Sequence, residues 1–145
     1  MAVPKGLPFG LHYEEKNRLN PTLIRAVVIV TFALLFYSVA VLTEQRKSVI
    51  SKRVLLFLTA GLSFDIASTA LMIAGSRNIP LTVHGILGYT ALSVMLIDTI
   101  LIWRYWAKNR SSRVPRRLHI YTRIAYGWWV IAYVAGAIIA MTLQG

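Results

Sequence analysis

With 145 residues, 57% of them hydrophobic, only 14% charged and a mean hydropathy of +0.60, the chain lacks the composition of a water-soluble domain. Its formal net charge of +11 would suggest nucleic acid on a soluble protein; here the basic residues sit beside apolar runs, so no nucleic-acid partner is expected. The lack of cysteine excludes disulfides, thiolate metal ligands, iron–sulfur clusters and covalently attached c-type haem.

Four windows, about 24–43, 54–75, 81–106 and 118–143, approach the roughly 20 apolar residues that a bilayer core requires. They use most of the chain, so a single transmembrane domain over 1–145 is expected: an all-α, polytopic, antiparallel four-helix transmembrane bundle. Residues 1–20 form a tail rich in proline and glycine, with Phe9, Leu11 and Tyr13 suited to the headgroup level. No secretory leader is expected within it.

Asn20 and Pro21 have the form of a helix start, with Asn as N-cap and Pro at the first helical position. The first span is rich in Val, Leu and Phe on all sides and reads as a lipid-facing anchor. A short basic connection leads to the second span, in which Asp65, Ser68, Thr69 and Met72 share one face. Residues 75–80, from Gly75 to Pro80, predict a tight turn and hence a hairpin of spans two and three.

In the third span His84, Gly88, Ala91, Met95, Asp98, Ile102 and Tyr105 recur at steps of four and three, forming one stripe. Ionisable residues are costly inside a membrane, so the stripe is expected to face the other helices. Trp103 and Trp106 suit the interface, and Pro115 stops any helix through the following basic loop. In the fourth span the stripe reads His119, Arg123, Tyr126, Val130, Tyr133, Ala137 and Ala140. The loops joining spans one to two and three to four hold ten Lys and Arg, against five on the opposite side. That bias predicts both termini outside and the basic loops in the cytoplasm, where they would meet anionic lipid headgroups.

Along one helix His84 and Asp98 lie roughly 21 Å apart and cannot share one small site. Asp98 is expected to pair with Arg123, with His119 within about a turn; such a pair fixes helix register or lines a proton or anion pathway. Asp65 has no basic residue at its depth, leaving packing against Ser68 and Thr69 or a proton-carrying or ligand-binding carboxylate as its readings. His84, with Gly85 and Gly88 leaving room beside its ring and Tyr133 at its level, is the candidate ligand for a b-type haem or a quinone headgroup. A single hydrogen-bonded histidine is the plainer reading. No cluster of three metal ligands is visible, so no metal site is expected. Nor is there a nucleophile–base pair, a phosphate-binding loop or a metalloprotease helix, and no catalytic activity of the chain's own is expected.

Phe64-Asp65, His84-Gly85 with Gly88, and His119 with the spacing of Trp129, Tyr133 and Gly136 resemble a family of small uncharacterised four-helix membrane proteins of bacteria and archaea. More distantly they are similar to small membrane proteins of haem-copper oxidase assembly. The resemblance covers roughly 25–143 and implies four spans, polar residues facing the bundle and a prokaryotic cytoplasmic membrane. These readings together lead to an accessory or assembly subunit of a larger membrane complex, respiratory or otherwise redox, with lipids and other membrane subunits, or copies of itself, as partners. The alternatives are a redox protein holding haem or quinone at His84, and a small proton-coupled exporter using Asp65.

Overall fold

The structure, a computed structural model, describes residues 21–75, 82–110 and 113–142. It is all-helical, with α1 Pro21–Lys47, α2 Lys52–Gly75, α3 Val83–Asn109 and α4 Arg116–Thr142. Each is long and apolar enough to cross a membrane. The starts follow from local chemistry. Pro21, whose ring presets a helical φ, opens α1; Asn20 and the rest of the tail lie outside the described residues. Thr82 caps α3, its hydroxyl accepting from the Gly85 amide at 3.1 Å. Arg116 begins α4 directly after Pro115, as the expected break requires. At the basic ends the helices outrun the apolar windows, because residues such as Glu44, Gln45 and Lys108 are good helix formers and cations suit a carboxyl-terminal turn. The turn expected after Gly75 lies outside the described residues.

The helices close into a ring. Packing is most extensive between α1 and α2, followed by α3 with α4, and the α2–α3 and α1–α4 contacts complete the circuit. The diagonal partners, α1 with α3 and α2 with α4, make no close backbone approach. The core holds Tyr37, Leu58, Met95, Ile102, Ala125 and Trp129, all nearly inaccessible. The outer faces are no less apolar: Leu35, Leu56, Ile124 and Ile131 are 56%, 68%, 64% and 58% exposed. Apolar side chains on every side of a helix suit a nonaqueous surrounding rather than water.

Small residues set how closely the helices approach. Ala26, Ala33 and Ala40 are buried at intervals of seven on α1, and Tyr37, Val41 and Glu44 continue that seam. The first span is therefore a core helix whose outer apolar side chains stay exposed, which corrects its reading as an anchor outside the core. Its Val, Leu and Phe surround a narrow stripe of buried alanines, small residues that allow close helix approach. At the α1–α2 contact the Tyr37 ring lies over Gly61, where an added Cβ would come within 2.7 Å of the ring. Phe36 extends the contact to Phe57 and Phe64 at ring separations of 5.5 and 5.3 Å.

The two basic loops are joined by their backbones. Ser48, at φ 50° in the left-handed region, ends α1 with its amide donating to the Glu44 carbonyl at 2.7 Å. Its own carbonyl accepts from the Val114 amide at 3.0 Å, and Val49 and Arg113 form an antiparallel bridge.

Because the Tyr37 ring fills the space over Gly61, Gly61→Val is expected to cost about 1–3 kcal/mol by overpacking. Gly88 has open space where its Cβ would stand. Gly88→Ala should therefore leave stability unchanged or raise it by up to ~1 kcal/mol through helix propensity. Unfolding midpoints in mixed detergent micelles measure both; equal effects would refute the assigned contact.

Candidate functional site

Three carboxylic acids lie among the described residues, and all are buried: Glu44 on α1, Asp65 on α2 and Asp98 on α3, at 1%, 5% and 0% exposure. Each receives a donor from α4. Trp129 Nε1 donates to Asp65 Oδ2 at 2.7 Å, and Thr122 Oγ1 donates to Asp98 Oδ1 at 2.8 Å. His119 Nδ1 lies 2.8 Å from Glu44 Oε1, where, with Glu44 ionised, the ring N–H donates. One helix thus supplies a donor to one acid from each of the other three. The geometry of α4 permits this because residues 119, 122 and 129 are spaced by three and seven and share a face.

Further groups complete each contact. Tyr37 donates its hydroxyl to Asp65 Oδ2 over a long 3.5 Å and meets Trp129 edge-on at a ring separation of 5.1 Å. Three helices therefore converge on one carboxylate. Because α2 and α4 are diagonal partners, the Trp129–Asp65 bond spans the middle of the bundle. Gln45 Nε2 donates to Glu44 Oε2 at 2.7 Å and to the His119 carbonyl at 3.1 Å. On the outer part of the α1–α4 seam, Ser38 and Tyr126 hydroxyls meet at 2.6 Å, and Thr31 and Tyr133 hydroxyls at 3.3 Å.

These contacts revise the expected site. The Asp98–Arg123 ion pair does not form: Arg123 is exposed, and its neighbour Thr122 is the residue that reaches Asp98. The fourth-span stripe drawn through Arg123 was displaced by one residue, about 100° around the helix, from the buried positions Thr122, Ala125, Trp129 and Ala132. His119 does enter an ion pair, but with Glu44. Among the described residues this is the sole ion pair, and Glu44 was missed because it follows the apolar window. Its signal was its register, four residues beyond Ala40 and seven beyond Tyr37 on the alanine seam.

The four residues proposed for a cofactor are not drawn together by hydrogen bonds. Asp65 is engaged by Trp129 and Tyr37, and Tyr133 stacks on Trp129 at 5.8 Å while its hydroxyl meets Thr31. Ser68, expected beside the Asp65 carboxylate, donates instead to the Asp65 carbonyl at 2.9 Å. Gly88 stays open, and His84 turns toward Gly136 of α4, where an added Cβ would stand 2.6 Å from the ring's Cε1. The imidazole is thus packed against backbone at the helix crossing. Its Nδ1 is buried and, like Asp98 Oδ2, has no hydrogen-bond partner among the described residues.

A six-coordinate b-type haem needs a second axial side chain opposite His84. His119 is held by Glu44 near the start of α4, far along that helix from Gly136; His12 lies outside the described residues. Among the described residues there is thus no second histidine opposite His84 for a bis-histidine haem. No group of three metal-ligating side chains occurs among them. A lone ring nitrogen can still hydrogen-bond a carbonyl of a quinone-like headgroup.

Thr122→Val deprives a buried carboxyl of its donor and is expected to lower unfolding stability by about 1–3 kcal/mol. Arg123→Gln, on an exposed position, should change it by no more than about 0.5 kcal/mol. Denaturation of both variants in mixed micelles checks the assignment, and the reverse order would restore Arg123 as the partner of Asp98.

Compared with models of protein families, with curated proteins and with solved structures, the chain matches none.

Proposed function

We propose that the protein is an integral membrane accessory or assembly subunit, its helices crossing the bilayer up and down in antiparallel order with the basic loops toward the cytoplasm. The carrying observation is that each of the three buried acids is taken up in a bond from α4 to another helix. Intramembrane carboxyls commonly mark ion or substrate pathways, but here their first use is to hold the helices together. What the molecule has to offer a partner is then its outside: apolar faces on all four helices and a strongly basic end. A subunit of this kind acts by holding neighbouring proteins and lipids against those faces, in a respiratory or other redox assembly, and needs no reacting groups of its own.

A second reading, a protein that binds a quinone at His84, is favoured by one observation: the buried Nδ1 without a partner among the described residues, one turn from Gly88, where the space a Cβ would take is open. In that role His84 would orient the headgroup through a single hydrogen bond, and Trp129 and Tyr37 would keep Asp65 away from it.

Native mass measurement of the protein extracted from its own membrane in mild detergent tests the first reading. A stoichiometric complex with a second membrane protein is expected; a free monomer without bound groups would contradict it. Solvent extraction of the same preparation tests the second. Quinone at about one equivalent, lost in His84→Ala, is the result that reading requires, and its absence from the native protein ends it.

A further inference from the structure

The joined basic loops build a feature that helix packing does not use. Between the end of α1 and the start of α4 lies an open concavity of ≈ 550 Å³, bordered by Arg46, Lys47, Arg113 and Arg116, with His119 at its inner edge. The four cationic residues are exposed, and none of them is in an ion pair among the described residues. Nor can an acid of the described chain reach them by a side-chain rotation. Glu44 is 1% exposed and held by His119 and Gln45, and Asp65 and Asp98 are buried between the helices.

Their arrangement follows from the backbone. The Val49–Arg113 bridge and the Val114-to-Ser48 hydrogen bond bring the α1–α2 loop against the segment preceding α4. Without that link Arg46 and Lys47 would be distant in the chain from Arg113 and Arg116 and free to diverge. Held together, like charges repel, and the repulsion is relieved by an anion placed among them. The cleft also opens at the amino end of a 27-residue helix, where unpaired N–H groups and the helix dipole favour negative charge. At the inner edge Glu44 holds His119 against the α1 side, so the ring forms part of a fixed wall.

We infer that this cleft is a binding site for a phosphate-bearing anion, its oxygens held by the guanidinium and ammonium groups of Arg46, Lys47, Arg113 and Arg116. Arginine matches a phosphate with paired N–H donors, and three of the four residues are arginines. A phosphodiester lipid headgroup and free inorganic phosphate share this chemistry. The inference is independent of the accessory reading: it needs no second protein and survives if the molecule proves to be solitary.

The test uses the full chain purified in detergent, with phosphatidylglycerol or phosphatidylcholine added and retained lipid counted by native mass spectrometry. Calorimetric titration with inorganic phosphate forms a second arm. Arg46→Gln with Arg116→Gln removes two charges from the cleft. Arg53→Gln with Lys108→Gln removes two exposed charges that do not border it. Lys47→Gln with Arg113→Gln serves if the first pair fails to fold by circular dichroism.

Retention of phosphatidylglycerol over phosphatidylcholine, weakened on the order of tenfold in the cleft variant and unchanged in the control, supports the site with a lipid headgroup as its ligand. Binding of inorganic phosphate with the same variant pattern, but no lipid preference, supports it with free phosphate. Equal weakening in both double variants would show only diffuse charge and overturn the proposal, as would no binding in either arm.

Discussion

A carboxyl group surrounded by apolar helices must find hydrogen-bond donors, and in this bundle one helix supplies a donor to each of the three described acids. His119, Thr122 and Trp129 lie on one face of α4 and serve Glu44, Asp98 and Asp65 from α1, α3 and α2. An unmet polar group in such surroundings costs several kcal/mol, so each bond constrains both the rotation and the height of α4 against its partner. Three such constraints on one rigid element determine its position in the ring. Rotating α4 by one residue would present Arg123 in place of Thr122 and break all three contacts together.

Shape supplies the rest. The helices are apolar nearly all round, so burying apolar surface does little to select one face over another if lipid surrounds them. Close approach at small residues provides that selection. The alanine seam of α1, Gly61 under Tyr37 and Gly136 under His84 each admit a neighbour that a larger side chain would exclude. At Gly61 the two principles meet, because the ring that needs the space belongs to Tyr37, whose hydroxyl points to Asp65. The basic end is organised differently, by backbone hydrogen bonds between loops, and it gathers cations rather than neutralising them.

Much of this was legible in the residues. Apolar run lengths identified four helices, Pro21 marked the start of the first, Pro115 the break before the fourth, and the third-span stripe correctly placed Ala91, Met95, Asp98 and Ile102 inside. Periodicity failed where two neighbouring stripes had similar polarity. On α4 both Thr122 and Arg123 continue a plausible row from His119, and charge complementarity to Asp98 favoured the arginine. The long Arg123 side chain instead extends outward, and a short hydroxyl fits the space between α3 and α4. The Tyr37–Trp129–Asp65 meeting was hidden for another reason: it joins α1, α4 and α2, and no spacing within one helix reports a contact across a diagonal. Orientation of the His84 ring was equally out of reach, because it depends on a glycine in another helix.

Of the three bonds by which α4 reaches acids of the other helices, the most demanding is the diagonal one from Trp129 to Asp65. A double-mutant cycle of Asp65→Ala and Trp129→Phe, followed by reversible unfolding in mixed micelles, isolates that interaction from the packing around it. A favourable coupling of about 0.5–2 kcal/mol is the predicted result, in the range of polar contacts between membrane helices and their charge-assisted forms. Strict additivity of the two substitutions would contradict the assignment of α4 as the donor helix.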